Sequence, residues 1–278
     1  MKALRFSTLL AIFIFTFYSC KKKEISEETQ EFIQEPTKEQ LDKLFNMGIN
    51  IDNVSIEEIT TPDKKTNTYF ISGDIMVPVS DLDSYAALEP LENGNKQYRD
   101  INIVSPANRN INILGFTGGS AGLTSRMQTA LRWAVNNYNA LPNSLNFNLT
   151  FGANIGAADI VVFQVNNPNG GGSAGFPDLL GKPYPWVRIN SGTQAFSTNV
   201  NEHVITHEIG HCLGLRHQDW INRQSCGNTG GIQVEPPAIW IPGTPTSPDA
   251  DSIMLACFGS DEDGEFTDTD RTALNILY

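Results

Sequence analysis

The stretch His207-Glu208-Ile209-Gly210-His211-Cys212-Leu213-Gly214-Leu215-Arg216-His217 decides what we expect of this 278-residue chain. It fits the spacing H-E-x-x-H-x-x-G-x-x-H. Because His207 and His211 are separated by four positions, a helix would place both imidazoles on one face, one turn apart. Two imidazoles in this arrangement can bind one metal ion, and H-E-x-x-H on a helix is typical of zinc sites.

Three further residues complete this pattern. Glu208 follows the first candidate ligand, so its carboxylate can project beside the metal as a general base and need not be a ligand itself. Gly214 can end the helix in a left-handed conformation at little steric cost, which lets the chain bring His217 back as the third ligand. Three neutral imidazoles leave one position on zinc open for water, as in catalytic zinc sites.

The distribution of histidines supports this interpretation. The chain has only four, His203, His207, His211 and His217, and all lie within fifteen residues. A short H-E-x-x-H can arise by chance on an ordinary helix, but scattered core or surface histidines would not cluster in this way. We expect His203 to be buried or to support the site without binding the ion, because a fourth histidine ligand would close the site to water.

The composition argues against several classes of function. With 19 basic and 31 acidic residues the net charge is −12. Nucleic acid is therefore not an expected partner, because phosphate binding needs a cationic patch. Electrostatic docking on anionic lipid is disfavoured for the same reason. A hydrophobic content of 40% is sufficient for a sizeable buried core.

The N-terminus is typical of a targeting segment. Lys2 and Arg5 precede an apolar run over 9–18, which is too short for a membrane span of ~20 residues. The run ends at Ser19-Cys20 before three lysines, an arrangement that resembles a bacterial lipoprotein signal with Cys20 as the lipidated residue. We expect 1–20 to be a signal peptide and the chain to be exported and lipid-anchored to the cell envelope. Ordinary cleavage with secretion and an uncleaved anchor are the alternatives.

The composition changes near residue 100, which suggests a boundary in the turn-like Asn93-Gly94-Asn95. We expect a tether and an N-terminal segment, a candidate pro-segment, over 21–100, and a catalytic domain over 101–278. Alternating strand and helix patterns predict an α/β (α+β) fold with a mixed sheet. The predicted elements are one strand over 69–77, strands at 101–104, 111–114, 145–151, 159–163 and 187–190 (the last as an edge strand), and helices over 37–45, after Thr124 or Ser125, through the histidine motif and over 268–278.

The eleven-residue motif resembles that of the metzincin clan of zinc metallopeptidases, and its first five residues look like the bacterial dual-action HEIGH metallopeptidase family. Ser252-Ile253-Met254 resembles the Met-turn of that clan. The resemblance implies that Met254 supports the histidine cage without binding zinc. Over about 101–278 it implies a metzincin-like catalytic domain, with a mixed twisted sheet, a backing helix, a zinc-binding helix and a loop-rich C-terminal subdomain.

Two positions depart from astacin-type members of the clan. Ala256 stands where those relatives have a tyrosine two residues after the Met-turn methionine, and Gln218 stands where a glutamate follows the third histidine. No tyrosine can therefore be named as the residue that stabilises the transition state. Asp219 is a candidate for orienting a histidine, and a turn-capping carboxylate is the alternative.

Two further acidic segments are candidates for metal binding. Phe70-Ile71-Ser72-Gly73-Asp74-Ile75 resembles the segment by which astacin zymogens present an aspartate to zinc. Asp74 would then be a latency ligand that displaces the catalytic water, the alternative being a Gly-Asp turn in an ordinary strand. Asp261-Glu262-Asp263-Gly264-Glu265 could bind calcium, but it lacks the EF-hand spacing, and a solvated acidic turn is the alternative.

The cysteines allow one disulfide if Cys20 belongs to the signal. Cys212, Cys226 and Cys257 then remain, and an oxidising compartment permits three single pairings. Cys212 lies beside a candidate ligand on a predicted buried helix face. We therefore favour the pair Cys226–Cys257.

Taken together, these patterns predict an exported zinc endopeptidase that acts on protein or peptide substrates, with one Zn²⁺ and with Glu208 as general base. We expect an extended substrate along the strand near 187–190. The alternatives are a non-catalytic zinc-bearing surface lipoprotein or binding module, and a lipoprotein in which 21–100 binds a partner; the oligomeric state stays open. Glu208 argues against the first alternative, because a structural zinc ion needs no general base.

Overall fold

The computed structural model describes residues 35–86, 98–228, 235, 238–244 and 249–278. Residues 34–278 form one compact unit. The predicted signal peptide with Cys20 and the turn at Asn93-Gly94-Asn95 lie outside the described residues, and the boundary near residue 100 stays a prediction. Within the described part of the chain, no helix has both the length and the apolar character that a membrane span requires.

The N-terminal elements form a small antiparallel sheet with a helix. They are α1 (Lys38–Asn46), β1 (Ser55–Thr60), β2 (Thr66–Ser72), β3 (Ile75–Pro78) and α2 (Leu82–Ala86). Thr37 caps α1, because its side chain accepts a hydrogen bond from the Gln40 amide while the Gln40 side chain accepts one from the Thr37 amide. The prediction of one strand over 69–77 is wrong. Gly73 has φ +62° and reverses the chain between β2 and β3.

The remaining elements alternate between strands and helices. They follow in the order β4 (Tyr98–Arg99), β5 (Asn110–Phe116), α3 (Ser125–Asn139), β6 (Asn146–Gly152), β7 (Ile160–Val165), β8 (Gly172–Ser173), β9 (Trp186–Asn190), α4 (Thr198–Leu213), β10 (Ile239–Trp240) and α5 (Asp268–Leu277). β4 and β10 pair with each other in a separate two-stranded sheet. Five strands, in the order β6-β5-β7-β9-β8, form the main sheet.

The main sheet is mixed, which confirms the predicted α/β class. β6, β5, β7 and β9 are parallel to one another, and β8 is antiparallel to β9. The prediction that 187–190 is an edge strand is wrong, because β8 lies outside β9 and forms the edge. β8 contributes only Gly172 and Ser173 from a glycine-rich stretch, so it has no alternating pattern by which the sequence could reveal it.

The backing helix α3 begins where the sequence suggested. Of the two candidate caps, Thr124 is the one used, since its side chain accepts a hydrogen bond from the Met127 amide. Met127, Leu131 and Tyr138 are fully buried, and the Tyr138 hydroxyl donates to the Thr206 carbonyl oxygen at 2.9 Å. This contact fixes α3 against α4, whose residues are buried from Val200 to Leu213.

The prediction of a strand at 101–104 is wrong, and the end of α4 explains why. Gly214 ends the helix at φ +99°, and a Cβ there would lie 2.5 Å from the Asn102 carbonyl oxygen. The Asp100 amide donates to the Gly214 carbonyl oxygen at 2.7 Å. Residues 101–104 therefore cross the end of α4, and they pair with no strand in the described part of the chain.

The N-terminal sheet packs against the loop that follows β8. A second hydrophobic cluster contains Leu44, Phe70, Ile75 and Val77 together with Phe176 from that loop. This packing holds the turn at Gly73-Asp74 close to β8 and to the middle of α4, where the motif histidines lie.

Candidate metal centre

Three imidazoles converge on one point at the C-terminal half of α4. His207 and His211 project from the helix, and His217 returns after the left-handed Gly214. The ring centroids are 4.6 Å apart for His207 and His211, 4.9 Å for His211 and His217, and 5.4 Å for His207 and His217. Asp74 joins the three histidines in one potential metal-binding group, whose ligand atoms all lie within 4.8 Å of one another. Among the described residues, no other group brings three or more His, Cys, Asp or Glu ligands this close together.

Hydrogen bonds at Nδ1 leave the Nε2 atoms available to a metal. Nδ1 of His207 lies 2.7 Å from the Ile253 carbonyl oxygen, and Nδ1 of His211 lies 2.8 Å from the Leu215 carbonyl oxygen. A carbonyl oxygen only accepts, so each Nδ1 carries the proton and each Nε2 presents a lone pair. Both Nε2 atoms are buried without a hydrogen-bond partner, which is costly unless a cation takes the lone pairs. The donor set thus fits zinc.

Glu235 holds the third imidazole. Its Oε1 lies 2.7 Å from Nδ1 of His217 and also accepts a 2.7 Å hydrogen bond from Nε of Arg223. Arg216 donates to the other oxygen at 3.4 Å. Burial alone would raise the pKa of Glu235, but these three groups together lower that pKa to about 2. No sequence pattern points to Glu235, because it belongs to no motif and reaches His217 only through the tertiary fold.

Asp74 completes the cluster. Its Oδ2 lies 3.0 Å from Nε2 of His217 and 3.4 Å from Nε2 of His207. Burial lowers the pKa of His217, but the carboxylates of Asp74 and Glu235 outweigh it and raise that pKa to about 10. Without a metal, His217 is therefore held as a cation between two carboxylates, and a divalent cation would take the place of its Nε2 proton. The two alternatives given for Asp74 occur together, because the residue lies in a turn and its carboxylate also faces the histidines.

Glu208 lies beside the cluster without belonging to it. Its side chain is buried, and its Oε2 has no hydrogen-bond partner. The backbone of β8 passes close above it, since a Cβ on Gly172 would lie 2.8 Å from Oε1. Burial first, and then the charge of Asp74, raise the pKa of Glu208 well above its usual range. A carboxylate in this position can accept and return a proton.

The segment around Met254 packs against α4 beside the motif histidines. Met254 is fully buried, and a Cβ on Gly210 would lie 2.6 Å from its Sδ atom. The fourth residue of the motif is thus a glycine because the methionine occupies the space of a side chain. The preceding Ile253 accepts the hydrogen bond from His207, and its amide donates at 3.0 Å to Asp270, which anchors the turn to α5.

For Asp219 and for the stretch 261–265, the structure fits the alternatives of a turn-capping carboxylate and an acidic turn. Asp219 does not orient a histidine; it caps a turn by accepting hydrogen bonds from the amides of Ala256 and Ser225, both at 2.9 Å. The acidic stretch 261–265 does not bring three ligand groups together among the described residues, so nothing here supports calcium. His203 stays outside the metal cluster, with Nδ1 2.9 Å from the Asp263 carbonyl oxygen.

The cysteines pair as favoured above. Cys226 and Cys257 form a disulfide with Cα atoms 5.1 Å apart, and Cys212 is a buried free thiol. The bond joins the loop after His217 to the residues that follow Met254.

A cavity of about 350 Å³ opens onto the metal cluster. Its walls come from the glycine-rich stretch before and within β8, from α4 and from the segment after Met254. Of the strand at 187–190, only Asn190 lines it. The lining also includes Gly73, Asp74, Gly172, Glu208, Arg223 and Ala256.

Comparisons with known proteins relate to this same region. The sequence pattern of the family described as dual-action HEIGH metallo-peptidase matches residues 69–278. Two solved structures of myroilysin are similar to this chain, each at 14% identity and a TM-score of 0.40. They cover 62% and 66% of this chain, and 80% and 99% of their own. No curated protein sequence matches. The family match includes every residue of the metal cluster.

Replacing Gly210 by alanine tests the contact with Met254. The substitution gains about 1 kcal/mol of helix propensity, but overpacking in a core costs about 1–3 kcal/mol. We expect a net loss of stability, with a melting temperature a few degrees lower in thermal denaturation. Gly152→Ala is the matched control, because no atom lies within 4 Å of a Cβ there. Equal melting temperatures for both variants would contradict the packing described.

Replacing Glu235 by glutamine tests the support of His217. Loss of the carboxylate removes the charged partner of Nδ1, and such changes weaken metal affinity by about 10–100-fold. Competition with a chromophoric chelator measures the zinc dissociation constant. Glu58→Gln, on the exposed face of β1, is the control. An unchanged dissociation constant for Glu235→Gln would show that Glu235 does not support the site.

Proposed function

The chain belongs to the dual-action HEIGH metallo-peptidase family, as its motif suggested, and we propose that it is an exported zinc-dependent endopeptidase. His207, His211 and His217 hold the ion, and Glu208 is the general base. One observation carries the proposal: two of the three converging imidazoles have buried Nε2 atoms without a partner, next to a buried carboxylate that is equally unpaired.

Zinc, when bound, supplies Lewis acidity to the scissile carbonyl and to a water molecule. The protein supplies the proton transfers. Glu208 accepts a proton from the water as its oxygen attacks the carbonyl carbon, and delivers that proton to the nitrogen as the C–N bond breaks. Burial raises the pKa of Glu208, and a higher pKa makes its carboxylate a stronger base toward the water. A divalent cation in the cluster would oppose part of that increase.

We propose that an extended peptide binds along the edge of the main sheet when the N-terminal segment is displaced. β8 forms this edge close to Glu208, and Ala174 follows it. Backbone hydrogen bonds to such an edge bind a substrate whatever its side chains. In this proposal the scissile bond of a protein or peptide substrate lies beside the histidines.

The N-terminal part occupies the same edge. The Ala174 amide donates to the Asp74 carbonyl oxygen at 2.9 Å, and the Met76 amide donates to the Ala174 carbonyl oxygen at 2.6 Å. Asp74 thereby brings a carboxylate oxygen to the three imidazoles, and three nitrogens with one oxygen make a four-donor set that zinc accepts. We therefore propose that residues 73–76 keep the enzyme latent until they are displaced.

Export and lipidation remain part of the proposal. Their support is the sequence alone, with basic residues, a short apolar run and Ser19-Cys20. The disulfide between Cys226 and Cys257 fits an oxidising compartment.

Glu208→Gln tests the general base. Removing the carboxylate should lower the rate of casein cleavage by about 10²–10⁴-fold while zinc content stays the same. The measurement is a mass-resolved time course with residues 21–278. Glu265→Gln, an exposed carboxylate, is the control. Cleavage by Glu208→Gln at the parent rate would exclude this role, and no cleavage by the parent in any form would favour a non-catalytic zinc protein.

Asp74→Asn tests latency. Loss of the anionic donor weakens the hold of the N-terminal segment, so cleavage should increase by roughly tenfold or more, a difference of about 1.4 kcal/mol. Initial rates on a quenched fluorescent peptide measure the increase. Asp52→Asn, exposed in the same N-terminal part, should leave the rate unchanged. If Asp74→Asn cleaves no faster than the parent, Asp74 is an ordinary turn residue.

A further inference from the structure

Arg223 is the one arginine that lines the cavity over the metal cluster, among the described residues. It shares the walls of that cavity with His207, Glu208 and Ala256. Its two terminal nitrogens lie 3.6 and 3.7 Å from the position a Cβ would take on Gly73, directly before Asp74. The guanidinium therefore lies at ordinary van der Waals distance from residue 73, beside the part of the cavity that Asp74 lines.

The rest of the residue holds the guanidinium in this position. Nε of Arg223 donates to Glu235 at 2.7 Å, and the backbone amide donates to the Asp219 carbonyl oxygen at 2.7 Å. The backbone is left-handed, with φ 45° and ψ 50°, a strained conformation that non-glycine residues seldom adopt. The side chain is 17% exposed, so it is mostly buried but still accessible to solvent.

The terminal nitrogens remain available. Within the described part of the chain they have no hydrogen-bond partner, because the one side-chain bond of Arg223 is made by Nε. The carboxylates of Asp74 and Asp219 interact with it electrostatically without forming an ion pair, and that of Asp219 already accepts hydrogen bonds from Ala256 and Ser225. When Asp74 leaves, the carboxylate hydrogen-bonded to Arg223 is that of Glu235, which also serves Arg216 and His217.

We propose that Arg223 is a catalytic residue that donates hydrogen bonds to the scissile carbonyl oxygen as negative charge develops on it. This rests on the proposed peptidase function. The Asp74 carboxylate marks where an anionic oxygen is accepted in this site, and Arg223 is the preorganised donor that faces it. Among the described residues of the segment after Met254, none that lines the cavity offers such a donor, and Ala256 carries only a methyl group.

A purely structural role would be different. In that case Arg223 would only balance the charge of Glu235, and any cation at this position would do the same. A catalytic role needs the fork of the guanidinium, with Nε on Glu235 and the terminal nitrogens on the substrate, and a lysine ammonium does not serve both at once.

The test compares residues 21–278 carrying Arg223→Lys or Arg223→Ala with the parent, and with Arg132→Ala as the control on the exposed face of α3. For each, kcat and KM on a fluorogenic peptide are measured together with zinc content and the dissociation constant of a phosphinic peptide, whose tetrahedral anionic centre imitates the charged state. Losing one such donor lowers kcat by about 10²–10³-fold in other enzymes.

We expect both Arg223 variants to keep a full equivalent of zinc and a KM close to that of the parent. Their kcat should fall by at least tenfold, and the phosphinic peptide should bind more weakly by a similar factor. If Arg223→Lys keeps the parental kcat, or if kcat and zinc content fall in parallel, Arg223 is not catalytic. If neither the parent nor Asp74→Asn shows Glu208-dependent cleavage, the proposed function itself is overturned and Arg223 has no reaction to serve.

Discussion

The hydrogen bond from Nδ1 of each motif histidine fixes the direction of the opposite ring nitrogen, and the rest of the structure depends on this constraint. Two of the partners are backbone carbonyls, of Ile253 and Leu215, and the third is the carboxylate of Glu235. The unpaired Nε2 atoms of His207 and His211 then meet Nε2 of His217 in a buried space, where unpaired polar atoms are costly. α3, α5 and the turn at Met254 all pack to hold this arrangement, and a cation is the partner that it fits.

The same constraint links the N-terminal part to the site. A carboxylate can stand 3.0 Å from His217 only where positive charge is available, and Asp74 takes that position by pairing its backbone with Ala174. The segment therefore covers both the metal cluster and the sheet edge that we assign to substrate. Arg223 lies beside Gly73 and lines the same cavity, so in our proposal its guanidinium first lies near the latent segment and then serves the reaction.

The parts of this architecture that the sequence predicted are those set by local rules. The spacing of His207 and His211, the left-handed end of α4 at Gly214 and the cap of α3 each depend on neighbours within a few positions. The order of the strands does not, and β8 has too few residues to carry a pattern. Asp74 lies 143 positions from His217, and only a family resemblance pointed to it. Glu235 and Arg223 belong to no motif, and their places are set by tertiary contacts alone.

The most direct test of this account is zinc-edge anomalous diffraction from crystals of residues 21–278 grown with zinc. The account predicts one strong peak at the point shared by Nε2 of His207, His211 and His217, about 2.0–2.1 Å from each nitrogen. It also predicts an oxygen of Asp74 as the fourth ligand. A peak without one of these histidines, a peak with Glu208 as a ligand, or no peak in this cluster would contradict it.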